Sequence, residues 1–124
     1  EIVKFFINEK GDGDIVDENK VILTHYAVYF EDGNLLDTSI LEIAEKFNMF
    51  DNRRAQAGGY SPIEAKVGAK DMMIQGFKEG LKLLKTGDKA TLFLPYYLAY
   101  GETESRGIPA KSNLIFEVEI VDQK

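Results

Sequence analysis

Lys20–Phe30 reads KVILTHYAVYF, eleven residues dense in β-branched and aromatic side chains, with no glycine or proline among them. In an extended strand alternate side chains point to opposite faces, so Ile22, Thr24, Tyr26, Val28 and Phe30 form one face and Val21, Leu23, His25, Ala27 and Tyr29 the other. Both faces are apolar, the mark of a central strand covered on both sides rather than of a half-wet one. The rest of the chain therefore has to supply cover for two faces of a sheet.

The flanking signals fill in that sheet. Ile2–Ile7 is a short β-forming run closed by Asn8–Asp14, a turn cluster with two glycines. Glu31-Asp32-Gly33-Asn34 marks a turn, and Leu35–Thr38 can return as the partner strand of a hairpin. Ser39-Ile40-Leu41-Glu42 fits a capping box, and Ile40, Ala44 and Phe47 form an apolar stripe, which predicts a short helix over Ile40–Met49 followed by a loop over Asp51–Tyr60. Ile63–Val67 is a strand candidate after Pro62. Ile74, Phe77, Leu81 and Leu84 share one face of a helix predicted over Met73–Leu84 and ended by Thr86-Gly87-Asp88. Gly76 and Gly80 lie on one side of that helix and imply close backbone packing. Ala90–Leu94 and Asn113–Val121 are the last strands, the second with Leu114, Phe116, Val118 and Ile120 inward and Glu117 and Glu119 outward. Five to six mostly hairpin-compatible strands with one late helix predict an α+β fold, with Ser39–Ser61 as a helical insertion.

Composition narrows the function classes. At 124 residues the chain is expected to form a single domain over residues 1–124 with one core. The absence of cysteine excludes a disulfide framework, thiol catalysis and thiolate zinc sites, and leaves localisation open. A net charge of −6 without basic clusters argues against nucleic acid. No apolar run approaches the ~20 residues of a membrane-spanning helix. The chain opens Glu1-Ile2-Val3-Lys4 and its first methionine is Met49, so it is expected to be a piece of something longer.

Little of the usual catalytic chemistry is available. His25, the only imidazole, sits in the middle of the apolar strand and reads as a packed side chain rather than a base. Asp12, Asp14, Asp17 and Glu18 lack the spacing of a calcium loop, and no metal site is expected. Gly101–Gly107 lacks the Gly-Lys-Ser/Thr ending of a phosphate loop, and Lys78, Glu79, Lys82 and Lys85 around Gly76 and Gly80 exclude a membrane dimer motif. What remains is aromatic: Tyr26, Asp37 on the partner strand, and Pro95–Gly101 with three tyrosines. These residues fit an apolar ligand pocket with a few polar tips, and equally well tyrosines that simply pack with their hydroxyls at the surface.

Taken in order, Thr24-His25-Tyr26, the Glu31-Asp32-Gly33 turn, Leu36-Asp37-Thr38-Ser39, Ile74–Leu81, Leu98-Ala99-Tyr100-Gly101, Ile108-Pro109 and Leu114–Val118 make the chain resemble the FKBP-type peptidyl-prolyl cis-trans isomerases. The resemblance spans roughly Val21 to Val121. It implies a strongly twisted antiparallel sheet wrapped around one helix, with a proline pocket between them and no cofactor. The implied catalytic residues are Asp37, Tyr26 and Tyr100. The implied substrate-binding residues are Leu36, Ile63, Met73, Ile74, Phe77, Ile108 and Phe116. The chain departs from the family at Leu36 and Ile63, where aromatics are usual, at Met73 for valine, and at Phe77 for the tryptophan floor. It carries one extra residue between Gly68 and Ile74 and another before Ala99-Tyr100-Gly101, which leaves open whether Tyr96 or Tyr97 faces the pocket. Arg106-Gly107 replaces a more apolar loop tip. The implied activity is rotation of Xaa-Pro bonds during protein folding. The implied partners are proline-containing polypeptides, unfolded chains and macrolide inhibitors. The alternative is a chaperone or peptide-binding module, weak in catalysis, that uses the Ser39–Ser61 insertion with Met49, Phe50 and Tyr60.

Overall fold

The computed structural model describes residues 3–68 and 73–124. β2 (Ile22–Phe30) is central: it pairs along its whole length with β6 (Leu114–Gln123), from Ile22 opposite Gln123 to Phe30 opposite Leu114. With β1 (Lys4–Glu9), β3 (Leu35–Thr38), β4 (Ile63–Ala65) and β5 (Lys89–Leu94) they form a six-stranded antiparallel sheet in the order β1-β5-β6-β2-β3, in which β4 also pairs with β2. The fold is α+β, as its sequence pattern predicts. Ile2 and the extra residue before Ile74 lie outside the described residues.

Because β6 occupies one edge of β2, the two short strands share the other. β3 lies opposite Ala27–Tyr29 and β4 opposite Ile22–Thr24. The gap between them falls at His25 and Tyr26, where the chain leaves the sheet for the insertion. Ser39 closes it: its amide donates to the Tyr26 carbonyl at 2.9 Å, and its hydroxyl oxygen accepts from the Tyr26 amide at 2.9 Å. An unpartnered amide here would carry the full cost of desolvation, so the buried hydroxyl is committed to the sheet.

That commitment corrects the capping-box expectation. α1 runs over Leu41–Lys46, shorter than the predicted Ile40–Met49. Its N-cap is Ile40, and no side chain caps it. The Ile40 amide donates to Thr38 Oγ1 instead, and Asn48, at φ 57, ends the helical path. A second correction concerns the predicted loop over Asp51–Tyr60, which contains α2 (Asn52–Gln56), capped by the Asp51 carboxylate on the amides of Arg53 and Arg54. α2 buries no residue, so it has no apolar stripe to announce it.

The two faces of β2 are covered by different parts of the chain. On the inner face lies α3 (Gln75–Leu81), whose Phe77 and Leu81 join Leu92, Leu94, Leu114, Phe116 and Ile120 in the core. The fully buried leucines and isoleucine among these each contribute about 1.5–3 kcal/mol. α3 is shorter than the predicted Met73–Leu84: Ile74 is extended at ψ 141, and past Leu81 the chain tightens into bonds three residues apart. Gly76 and Gly80 let α3 approach the sheet. An added Cβ would stand 2.7 Å from Leu94 Cγ at the first and 2.6 Å from Leu92 Cδ1 at the second. On the outer face the insertion supplies the cover, with Phe47 5.7 Å from the Tyr29 ring and Ile40 and Ile43 beside the buried Ala27.

Candidate active site

Where α3 meets the inner face near the β2–β3 hairpin, the sheet and helix diverge and leave a cavity of about 420 Å³. Phe77 projects from α3 onto Phe116 of β6, ring centroids 5.1 Å apart, and both rings are buried. β2 contributes Tyr26 and Val28, β3 contributes Leu36 and Asp37, and β4 contributes Ile63. Met73 and Ile74 enter from the segment before α3, and Tyr100, Arg106 and Ile108 from the loop before β6. All ten residues singled out in the sequence border this one cavity. Val28 and Arg106 border it too and were not among them. Neither Tyr96 nor Tyr97 does: their rings stack edge to face at 5.6 Å, and Tyr97 is 56% exposed.

The polar end of the cavity is a network around Asp37. The Tyr26 hydroxyl donates to Asp37 Oδ2 at 2.5 Å, and the Thr38 amide donates to Oδ1 at 2.8 Å. Burial, and then the hydrogen bond to this carboxylate, push the Tyr26 phenol up to about 12, so it stays protonated and donating at neutral pH. The third partner is one that sequence reasoning missed. Arg54 of α2 places Nη1 2.7 Å from Asp37 Oδ1 and Nη2 3.4 Å from the Tyr26 hydroxyl. Partial burial works against its charge, but the hydrogen bonds to Asp37 and Tyr26 prevail and hold the guanidinium more firmly protonated than usual.

Arg54 is itself clamped. Nε donates to the Gly59 carbonyl at 3.0 Å, the guanidinium carbon lies 4.8 Å from the Tyr60 ring centroid, and Tyr60 stacks on Phe50 at 5.9 Å. The insertion thus reaches from the outer face round to the cavity's rim. Arg54 lies 17 residues from Asp37. The only signal available in the sequence was a basic pair following a potential N-cap, Asp51.

The Tyr100 hydroxyl has no hydrogen-bond partner among the described residues and stands at the half-open mouth. His25 is not part of the cavity: its Nδ1 lies 2.9 Å from the Ser39 hydroxyl, on the other side of β2. The arrangement is an apolar slot with an aromatic floor, one fixed carboxylate at its end and a free hydroxyl at its mouth. It suits a ring-shaped apolar group attached to a polar backbone.

The sequence profile of the FKBP-type peptidyl-prolyl cis-trans isomerases matches residues 13–121. The chain belongs to this family. An FkpA isomerase of Buchnera aphidicola subsp. Baizongia pistaciae is 37% identical over 118 residues, 95% of this chain and 39% of its own length. A probable FKBP-type isomerase of Haemophilus influenzae is 31% identical over 117 residues, 94% of this chain and 40% of its own. The crystal structure of FkpA from Escherichia coli superposes with a TM-score of 0.73 at 28% identity, covering 98% of this chain and 48% of that one. The chain thus spans about two fifths of the length of these curated relatives. Among the described residues no helix is long and apolar enough to cross a membrane.

Proposed function

We propose that the domain catalyses cis-trans rotation of Xaa-Pro peptide bonds in folding polypeptides, using this cavity. The observation that carries the reading is the pairing of an apolar slot floored by Phe77 with a carboxylate held by Tyr26 and Arg54 at its end. Rotation breaks no σ bond. The barrier of about 18–20 kcal/mol is the lost amide resonance, and the planar amide carries more charge separation than the twisted one. Moving the proline ring and the preceding carbonyl out of water between Phe77, Phe116, Ile74 and Ile63 therefore disfavours the ground state more than the transition state.

Asp37, fixed by its partners, presents a preorganised dipole to the twisting carbonyl. The Tyr100 hydroxyl and the Ile74 amide position the substrate backbone, with Leu36, Met73 and Ile108 as apolar walls. Raising a spontaneous rate of about 0.01 per second to about 1000 per second requires ~7 kcal/mol at 1.36 per tenfold, within reach of desolvation and preorganisation combined. Proline-containing and unfolded chains are the substrates on this reading, and macrolides would compete for the same slot.

A second reading, a chaperone or peptide-binding module, draws on the half-exposed Met49 and Phe50 beside Tyr60 on the insertion. Refolding of a protein limited by a slow proline step separates the two. Acceleration that Asp37→Val removes and Phe50→Ser spares supports the isomerase. The absence of acceleration, with unfolded-chain capture lost in Phe50→Ser, supports the module.

A further inference from the structure

Among the described residues two charged groups border the cavity, Asp37 and Arg106. The first is paired with Arg54 at 2.7 Å. The second forms no ion pair or side-chain hydrogen bond with any described residue. Its guanidinium is exposed at the rim, beside Tyr100 and Ile108, in a chain whose net charge is −6. Glu102 and Glu104, earlier in the same loop, are exposed and do not border the cavity. Among the described residues, the cavity's uncompensated charge is thus positive and belongs to Arg106.

The backbone under Arg106 points the same way. The Ser105 amide donates to the Ile108 carbonyl at 3.1 Å and the Ile108 amide to the Ser105 carbonyl at 2.8 Å, which makes a two-residue hairpin. Its central residues have φ 49 at Arg106 and φ 80 at Gly107. Two consecutive positive φ values are the demand of a type I′ turn, whose first central position favours Asn, Asp or Gly. Gly107 meets that demand and Arg106 runs against it. A disfavoured backbone state at the rim of a binding cavity is where strain is kept when the side chain is used. The reciprocal bonds pair the backbone on either side of Arg106 and Gly107.

We propose that Arg106 selects substrates carrying an acidic side chain next to the proline. The inference rests on the isomerase reading: with the ring on Phe77, a neighbouring side chain emerges at the rim, where a guanidinium offers a planar fork of N–H donors matched to a carboxylate. A lysine in the same place meets like charge.

The test uses short peptides with Glu, Leu or Lys placed before the proline in one set and after it in another. Isomerisation is read as kcat/KM and binding by titration, for the wild type, Arg106→Asn, which suits the left-handed backbone, and Arg106→Glu. In one set or both, the wild type is expected to favour Glu over Lys by about three- to tenfold at low salt, as befits a partly exposed charge pair. Raising the salt shrinks that ratio. Arg106→Asn brings the ratio near one and Arg106→Glu inverts it. A wild type with no charge preference in either set, or a ratio unchanged in Arg106→Asn, overturns the proposal. Failure of the isomerase reading is separate: the wild type would not accelerate the Leu peptides. The binding ratios would then decide the role of Arg106 on the same expectations.

Discussion

Replacing Arg54 with alanine removes four contacts at once, the 3.4 Å bond to the Tyr26 hydroxyl being the longest hydrogen bond among them, and their size follows from their exposure. The ion pair to Asp37 joins side chains 30% and 46% exposed, so it is screened and contributes ~0.2–1 kcal/mol. The stack on Tyr60 adds ~0.5–1 kcal/mol and the bond to the Gly59 carbonyl ~0.5–1.5 kcal/mol. These contacts share one side chain and do not simply add. A loss of about 1–2 kcal/mol is expected, which at about 3–5 °C per kcal/mol for a domain of this size lowers Tm by about 3–10 °C. Asp37 keeps the Tyr26 hydroxyl and the Thr38 amide but loses its charged partner. Turnover should then fall about tenfold, with kcat moving more than KM, because the carboxylate is less fixed in the transition state. Arg54→Lys keeps the charge but loses the Nε donor and the planar fork, and should recover less than half of both effects. Thermal denaturation and peptide exchange kinetics on the three proteins read this directly. A Tm within about 1 °C of wild type together with unchanged turnover in Arg54→Ala would refute the idea that the insertion holds the site's carboxylate.

Ser39→Ala should cost about 1–3 kcal/mol in urea denaturation, far more than loss of an exposed helix cap, because it leaves the Tyr26 amide without its acceptor inside the sheet. Gly76→Ala should destabilise more than Gly80→Ala despite the ~1 kcal/mol that alanine gains in a helix, since a Cβ at 76 meets the rigid Leu98 carbonyl at 2.8 Å whereas the three nearest atoms to a Cβ at 80 all belong to the Leu92 side chain, which can shift; equal losses in thermal melts would contradict this. Tyr26 and Tyr29 are both pushed up to about 12 from the ordinary 10, each by burial first and then by its carboxylate partner, Asp37 or Glu117. The folded state holds these protons more tightly than the unfolded one, so their stabilisation is complete below about pH 10 and is lost between about pH 10 and about pH 12. An absorbance titration of the phenolates should show two late steps among the six tyrosines, and Tyr26→Phe should remove one.

The parts of this protein legible in the sequence are those whose signal is local. β2 announces itself by apolar residues on both faces, and α3 by Ile74, Phe77 and Leu81 together with the two glycines that seat it. The Phe77 floor and the Tyr26–Asp37 pair were legible only through the family resemblance, laid on strands and a helix whose phase the pattern supplied. What was not legible depends on distant partners. Ser39-Ile40-Leu41-Glu42 has the spacing of a capping box, yet the hydroxyl goes to the Tyr26 amide, 13 residues away, because a gap between β3 and β4 needs an acceptor there. α2 escapes periodicity because it buries nothing. Arg54 follows α2 into obscurity: its role exists only once the insertion folds back from the outer face. The tyrosines of Pro95–Gly101 divide for a similar reason, since the tight turn over Tyr96–Leu98 aims Tyr100 at the cavity and leaves Tyr96 and Tyr97 outside it.

The most direct test of the proposed chemistry is two-dimensional exchange NMR on a short Leu-Pro-Phe peptide, with catalytic amounts of the wild-type domain and of Asp37→Val, both shown to be folded by circular dichroism. Cis-trans exchange accelerated by the wild type and largely lost in Asp37→Val is the predicted result. Equal acceleration by the two folded proteins would contradict the role given to the carboxylate, and no acceleration by either would contradict the isomerase reading itself.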